Sequence, residues 1–334
     1  MRTLACLPLL LANLFAQDEA TTLARLCDRS AAVAIVRPTT TGEVADGRRT
    51  VRVTVVRVLS GTPPAALDLH EPDGRSCGRA LAGVAAGAGY VAFLQSQAGS
   101  WRLAATTARA LPALEPALLA HVSALLADPS PKARRAELVR ALASASERVR
   151  DDAAHALSCL PTLAGMTPAE REACAAALVA ALPRDDSTSI ALLVVASRAK
   201  LVEAIERVVL LELGGSLGRT AAAAIRCVAE VDADATAQAL GVHLPRDPAG
   251  RDRALLVLDH LQCPRARASL EEIAQEGNAE QACRAAELML RIGIEEQEVA
   301  RAVGAAVAAE AARSRDRQRD ARPRYRFVHP ENAR

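Results

Sequence analysis

Apolar and polar residues alternate in the first third of the chain, after a short apolar N-terminus. The clearest case is residues 50–59, in which Val51, Val53 and Val55 alternate with polar positions, as in a half-buried strand. Other short apolar runs are separated by turn residues such as Pro72-Asp73-Gly74. The predicted strands are residues 31–36, 50–59, 66–70, 90–95 and 101–105. Short strands joined by turns in this way predict a small, closed or nearly closed β-barrel.

The pattern changes near Leu111–Pro112, after which apolar residues recur at helical spacing as far as Glu310. Prolines and capping residues separate the helices. Thr167-Pro168-Ala169-Glu170, for example, combines an N-cap, a first-turn proline and a capping-box glutamate. Alternate helices are predicted to start near residues 186, 216, 251 and 278, spaced by about 30 residues. This spacing favours a solenoid of helical hairpins over the alternative, a compact irregular bundle.

The N-terminal segment resembles a short secretory signal. Arg2 is followed by an apolar run over residues 4–14, and Ala16 provides a small residue for cleavage. The alternative is a buried N-terminal helix. No later segment has the ~18 uninterrupted apolar residues that a membrane span requires. We therefore expect an exported protein, periplasmic or extracellular, without a membrane span.

Charge is concentrated at the C-terminus. The tail, residues 313–334, carries eight Arg, two Asp and one Glu, a net of +5, while the whole chain carries +2. With Arg2 adding +1, residues 17–312 sum to −4. A nucleic-acid-binding body shows the opposite sign, so we expect no nucleic acid partner. We expect the helix that begins near Glu295 to run into this tail and fray; the tail is then either solvated or docked on an anionic partner.

The predicted signal also affects the cysteine count. Removal of Cys6 with the signal leaves seven cysteines, so at least one thiol stays free. Cys27 and Cys77 are the two in the β segment, and a Cys27–Cys77 disulfide is the simplest pairing. The pairing of the helical cysteines is left open, and they serve equally well as small buried apolar residues. These are Cys159, Cys174, Cys227, Cys263 and Cys283.

Residues 23–107 resemble a netrin-like domain. The residues that carry the likeness are Cys27 with the run 31–36, the strand 53–61 with its terminal glycine, and Ser76-Cys77-Gly78 followed by Gly83, Gly87 and Tyr90–Leu94. The resemblance implies a five-stranded barrel of the oligonucleotide/oligosaccharide-binding (OB) type in a secreted protein.

This family includes the tissue inhibitors of metalloproteinases, which chelate zinc through an N-terminal cysteine. Here Gln17 would be the first mature residue, and the family's partners for the cysteines that resemble Cys27 and Cys77 are missing. We therefore do not expect the inhibitory wedge.

Three helical segments resemble the second helix of HEAT-type repeats: residues 149–157, 219–225 and 281–288. The likeness implies a curved helical stack with a protein-binding face. Together the patterns predict an α+β protein with a five-stranded OB-type barrel followed by an all-α HEAT-like helical-hairpin solenoid. The predicted segments are a signal peptide at 1–16, the barrel at 17–111, the repeats at 112–312 and a flexible Arg-rich tail at 313–334.

One motif favours a different class of protein. Gly214-Gly215-Ser216-Leu217-Gly218 is a G-x-S-x-G sequence, in which Ser216 would be the nucleophile of a serine hydrolase. Asp259 with His260 or His329 would have to complete the triad. Because the preceding residues are predicted helices rather than parallel strands, the motif is better explained as a helix end, a loop and the next N-cap.

Metal chemistry is not supported by residue spacing. His155 and Cys159 share a helix face and Cys174 follows in the next helix, but four ligands cannot be assembled. Carboxylate pairs such as Asp151-Asp152 and Asp185-Asp186 are interpreted as helix-start residues that complement the macrodipole. We therefore expect no metal, no cofactor and no catalytic residues, and a non-enzymatic protein that binds or scaffolds another protein. The alternatives are the hydrolase, or a barrel that inhibits a protease or binds a glycan.

Overall fold

A computed structural model describes residues 22–40, 43–45, 48–72, 80–97, 100–105, 107–261 and 263–321. By internal contacts the chain divides into two compact units. The first comprises Met1–Ala177 with Ile190–Ala199, and the second comprises Leu178–Ser189 with Lys200–Arg334. The predicted signal peptide lies outside the described residues.

The first unit contains the β-barrel. Its strands are β1 (Ala32–Pro38), β2 (Glu43–Ala45), β3 (Arg48–Ser60), β4 (Ala66–Pro72), β5 (Tyr90–Gln97) and β6 (Ser100–Leu103). All pairings are antiparallel. The long β3 pairs with β2 and β4 through its first half and with β1 through its second, β1 pairs with β5, and β5 pairs with β6. β1 and β2 both pair with β3 and together form one side of a hairpin with it, so they count as one strand. The sheet is therefore a nearly closed barrel of five strands, as predicted.

Burial follows the predicted alternation where one face of the sheet is exposed to solvent. Val51 and Val53 on β3 and Leu67 and Leu69 on β4 point into the core, whereas the residues between them are exposed. The central β1 is instead buried from Ala32 to Val36, because both of its faces are covered. The alternation fails in the second half of β3, where register shifts against β1 leave Val56 and Val58 exposed.

Fourteen α-helices lie in the described part of the chain, one before the barrel and the others after it. They are α1 (Leu23–Arg29), α2 (Pro116–Ala127), α3 (Pro131–Ala141), α4 (Glu147–Ser158), α5 (Pro168–Ala181), α6 (Ser187–Ala199), α7 (Ile205–Leu213), α8 (Ala221–Val231), α9 (Ala233–Val242), α10 (Pro248–His260), α11 (Arg267–Glu276), α12 (Ala279–Arg291), α13 (Glu296–Val303) and α14 (Ala305–Ala321). Short 3-10 turns precede α7 and α11. None of these helices is long and apolar enough to cross a membrane.

The helix starts have the chemistry that the sequence predicted. At α5, Thr167 Oγ1 accepts the Glu170 N–H at 3.2 Å, and Glu170 Oε2 accepts the Thr167 N–H at 2.6 Å, so the predicted capping box is confirmed. At α12, Asn278 and Gln281 form a second capping box. These reciprocal bonds satisfy N–H groups that the helix itself leaves free.

The helices of the second unit form two rows. Each helix contacts the one after next: α7, α9, α11 and α13 follow one another in the first row, and α8, α10, α12 and α14 in the second. Consecutive helices therefore alternate between rows, which is the packing of stacked helical hairpins. The sequence spacing predicted this arrangement correctly for this unit.

Three local features differ from the sequence prediction. α1 and β2 were not predicted, because a seven-residue helix and a three-residue strand are too short to show a period. The helix that starts near Glu295 does not run into the charged tail. It ends at Val303, because Gly304 adopts a left-handed φ of 88°, and α14 begins a new helix that includes Arg313.

Candidate functional site

Ser216 lies on a connection between two helices. The segment before it is α7 rather than a strand; Gly215 has a left-handed φ of 69°, and the Ser216 N–H donates to the Leu211 carbonyl at 2.9 Å. This is a helix C-terminus closed by a glycine in the left-handed region. The strand-to-helix elbow that exposes a hydrolase nucleophile is therefore not formed around Ser216.

The proposed triad partners have other environments. The carboxylate of Asp259 is paired with the guanidinium of Arg291. His260 is half-buried at the end of α10, and His329 lies outside the described residues. An imidazole oriented by Asp259 is the arrangement that a triad needs. In the structure, the partner of that carboxylate is the guanidinium of Arg291.

The histidine and cysteine pairs considered as metal ligands belong to the interior. His155 and Cys174 are buried, and Cys159 is half-buried at the end of α4. In the described ranges, no group of three or more His, Cys, Asp or Glu side chains could hold a metal ion. The buried thiol of Cys174 has its pKa raised by desolvation to about 12, so it stays protonated and unreactive.

Cys27, the first half of the predicted disulfide, lies on the buried face of α1. Burial raises the pKa of its thiol to about 12. Cys77 is outside the described residues, so the Cys27–Cys77 bond stays a prediction. Within the described residues, no disulfide joins two cysteines.

A depression of about 410 Å³ lies in the first unit, at the connection between α4 and α5. It is lined by Pro161, Thr162, Leu163, Ala164, Gly165, Met166, Arg171, Arg198 and Ala199. The two arginines hold its walls together: Arg198 donates to the carbonyls of Ser158, Leu160 and Pro161, and Arg171 donates to that of Ala199 at 2.7 Å. Because these guanidinium groups already bind carbonyl oxygens at helix ends, their first role is structural.

A cluster of exposed apolar side chains lies on the first row of the second unit. Glu206 and Leu210 are four residues apart on α7 and share one face of that helix, and Val202 lies in the 3-10 turn before it. His243, at the end of α9, bonds to the Glu206 carboxylate at 2.8 Å, and Val242 precedes His243 in the chain. Val202, Leu210 and Val242 are 49%, 43% and 71% exposed, and we call them the apolar patch. Exposed apolar side chains are candidates for an interaction surface where they form one contiguous patch.

A buried polar junction connects α1 with α4 in the first unit. Both carboxylate oxygens of Asp152 lie 3.0 Å from the Leu23 backbone nitrogen, and Asp152 is only 5% exposed. Burial raises the pKa of this carboxyl to about 7, against the opposing effects of the Leu23 hydrogen bond and of Arg109 and Arg148. The same burial lowers the pKa of Arg148.

The sequence interpretation of the carboxylate pairs was therefore half right. Asp186 accepts the Ser189 N–H at the start of its own helix, as predicted. Asp152, in contrast, is in the middle of α4 and lies at the N-terminus of α1, which is distant in sequence. Asp185 likewise accepts the N–H groups of Arg219 and Thr220 ahead of α8. No local pattern marks a carboxylate that caps a distant helix, because its partner is chosen by tertiary packing.

No protein-family model, curated protein or solved structure matches this chain. What the structure establishes is the barrel followed by the helices.

Proposed function

We propose that this chain is an exported, non-enzymatic protein that binds another protein through a HEAT-like helical array carried by a netrin-like barrel. One observation supports the repeat assignment. The segments with the HEAT-type pattern at 219–225 and 281–288 fall at α8 and α12, which belong to the same row. A repeated motif is expected to recur at equivalent positions of a stack.

The netrin-like part of the proposal rests on the strands. The second half of β3 with Gly61, and β5 from Tyr90, correspond to the stretches that carry the sequence resemblance. Both belong to the five-stranded barrel. Export rests on the signal-like pattern of residues 1–16, and a secreted family agrees with it.

The observation that carries the binding function is the apolar patch on the two-row array. Protein interfaces concentrate their affinity in a few apolar anchors surrounded by polar groups. Val202, Leu210 and Val242 around the Glu206–His243 pair have this composition. We infer that the partner is a protein that presents an apolar segment to the first row of helices.

The test compares two leucines of similar exposure on opposite rows. Leu210 on α7 is 43% exposed and Leu256 on α10 is 46% exposed, and both are helical. We expect Leu210→Asp to weaken capture of the partner from an envelope fraction about tenfold or more, because a hot-spot anchor contributes roughly 2 kcal/mol. Leu256→Asp should leave capture unchanged. Equal loss in the two variants, with equal helicity by circular dichroism, would refute binding through the first row.

The competing proposals have direct tests. Labelling by a serine-reactive probe that disappears in Ser216→Ala would replace the binding proposal with a hydrolase. Tight binding of a glycan or protease that is unaffected by Leu210→Asp would move the function to the barrel. We expect no labelling of Ser216 by the probe and no tight binding of a glycan or protease.

A further inference from the structure

The depression in the first unit is bounded by a loop that two arginines hold in place. This loop, residues 159–167, joins α4 to α5. Arg198 on α6 binds three backbone carbonyls where the loop begins, and Arg135 on α3 binds those of Ala164 and Gly165 at 2.9 Å each. Because these bonds fix the loop at both ends, the depression is preformed. Its volume of about 410 Å³ lies in the range of ~300–1,000 Å³ that small-molecule sites occupy.

The guanidinium group of Arg198 has N–H donors beyond those that hold the loop. A guanidinium group has five N–H donors, and three of those of Arg198 bind carbonyl oxygens. Within the described residues, no carboxylate pairs with Arg198 and no acceptor binds its other N–H groups. Arg198 is exposed and lines the depression, so its positive charge and its remaining donors are open to a ligand.

Leu163 supplies a second kind of donor. This residue also lines the depression and is only 5% exposed. Its backbone N–H has no acceptor in the part of the chain that the structure describes. Buried backbone N–H groups are almost always hydrogen-bonded, because an unbound one loses its water without compensation. An acceptor from outside the chain, either a water molecule or a ligand, is therefore expected at this position.

The charges around the depression favour an anionic acceptor with a single charge. The charged residues in its lining are Arg171 and Arg198, and both are cations. Hydrogen bonds between a guanidinium group and an oxyanion are charge-assisted and are therefore strong. The depression also lies beside the C-terminal ends of α4 and α6, and each helix end carries about half a negative charge. These ends repel a phosphate dianion more strongly than a carboxylate.

We propose that this depression binds the carboxylate of a ligand that also has an apolar group. Arg198 binds the carboxylate oxygens through charge-assisted hydrogen bonds, and the Leu163 N–H is the further donor. Pro161, Leu163 and Met166 supply the apolar part of the lining. The C-terminal end of a peptide and a free aliphatic acid both have this chemistry. The site lies in the first unit, whereas the apolar patch belongs to the second, so the site does not depend on the patch.

Titration of the full chain with two probes tests the need for a charge. N-acetyl-leucine and N-acetyl-leucinamide differ only in having a carboxylate or a neutral amide. We expect the acid to bind about tenfold or more tightly than the amide, because a hydrogen bond to a charged group is stronger than one to a neutral group. In NMR spectra, the Leu163 amide resonance should shift with the acid and not with the amide.

Two further probes define the ligand. Inorganic phosphate should bind more weakly than N-acetyl-leucine, because of its second charge. Butyrate distinguishes the two sources of a carboxylate. Weaker binding of butyrate than of N-acetyl-leucine indicates a peptide end, and stronger binding indicates a free acid; both results support a carboxylate site.

Met166 allows a matched pair of variants, because it is a half-buried residue of the lining. Met166→Glu adds a carboxylate that competes for the Arg198 donors, and it should weaken binding of N-acetyl-leucine about tenfold or more. Met166→Gln adds a neutral group of similar size and should keep the affinity within about threefold of the wild type. Neither change removes a hydrogen bond that holds the loop.

Several results would overturn the proposal. Absence of binding by the acid, or equal affinity for the acid and the amide, would show that the depression does not select a carboxylate. Tighter binding of phosphate would show a different anion site. Equal affinity in Met166→Glu and Met166→Gln would place the probe elsewhere. If these variants do not fold, a Leu163 amide resonance that stays unshifted while the acid saturates the wild type contradicts the proposal.

Discussion

Gly61 is the position where one added methyl group should disturb the barrel most. It follows β3 with a left-handed φ of 75°, and a Cβ atom there would lie 2.2 Å from the Ala31 carbonyl oxygen and 2.8 Å from the Ala32 Cα. These are backbone atoms at the start of β1, which cannot move without shifting the strand. Gly87 has a similar φ of 80°, but no heavy atom would lie within 4 Å of its Cβ. Gly87→Ala therefore tests backbone strain alone, whereas Gly61→Ala tests backbone strain together with close packing.

The expected losses of unfolding free energy follow from the backbone strain and the steric clash. A non-glycine residue in the left-handed region costs about 1 kcal/mol, so Gly87→Ala should lower the free energy of unfolding by about that amount. Gly61→Ala adds an overpacking term of roughly 1–3 kcal/mol, because the clash is with backbone, for a total of about 2–4 kcal/mol. The ratio of folded to unfolded barrel should then differ between the variants by about 5-fold to 150-fold.

Tryptophan fluorescence during urea unfolding is the assay. The chain has a single tryptophan, Trp101, and it lies on β6 of the barrel, so its emission reports this region. The midpoint of Gly61→Ala should shift well below that of Gly87→Ala, with similar slopes for both. Equal losses within about 0.5 kcal/mol would show that β1 yields to the added carbon, and the packing argument would be refuted.

Three further predictions follow from named contacts. Burial lowers the pKa of His121, so its contribution to stability is present above pH 6.5 and is lost on acidification. When the free energy of unfolding is measured as a function of pH, His121→Gln should reduce the loss of stability in acid. An acid slope equal to that of the wild type would contradict the assignment to His121. Arg198→Met keeps the apolar stem but removes the bonds to the carbonyls after α4, and should lower the unfolding free energy by about 1 kcal/mol. Peptide mapping without reduction should recover Cys27 linked to Cys77, whereas alkylation of both thiols in denaturant without a reductant would show the pairing to be wrong.

The fold was largely predictable because its signals are local. Alternation around Val51 and Val53 identified the longest strand, and the spacing of helix starts identified the hairpins of the second unit. The capping box at Thr167 and Glu170 needed only four residues to be recognised. Such features repeat within a few residues, so the sequence contains all the information that specifies them.

The candidate sites were not predictable in the same way. Leu210 and Leu256 look alike in sequence, and only the alternation of helices between rows places them on different rows. Asp152 reads as one of two carboxylates near a helix start, yet its oxygens bind the Leu23 N–H at a separation of 129 residues. A contact between residues so far apart in the chain leaves no periodic pattern in the sequence.

The class of each segment follows from its residues alone: strands in a barrel, then paired helices, with the change near Leu111–Pro112. This is because burial of one face imposes a period of two or 3.6 residues on any chain that folds in this way. Tertiary structure decided which polar groups lose their water. The carboxyl group of Asp152 changes its protonation behaviour because α1, α2 and α4 pack around it, and desolvation depends on all neighbours in space rather than on neighbours in the chain.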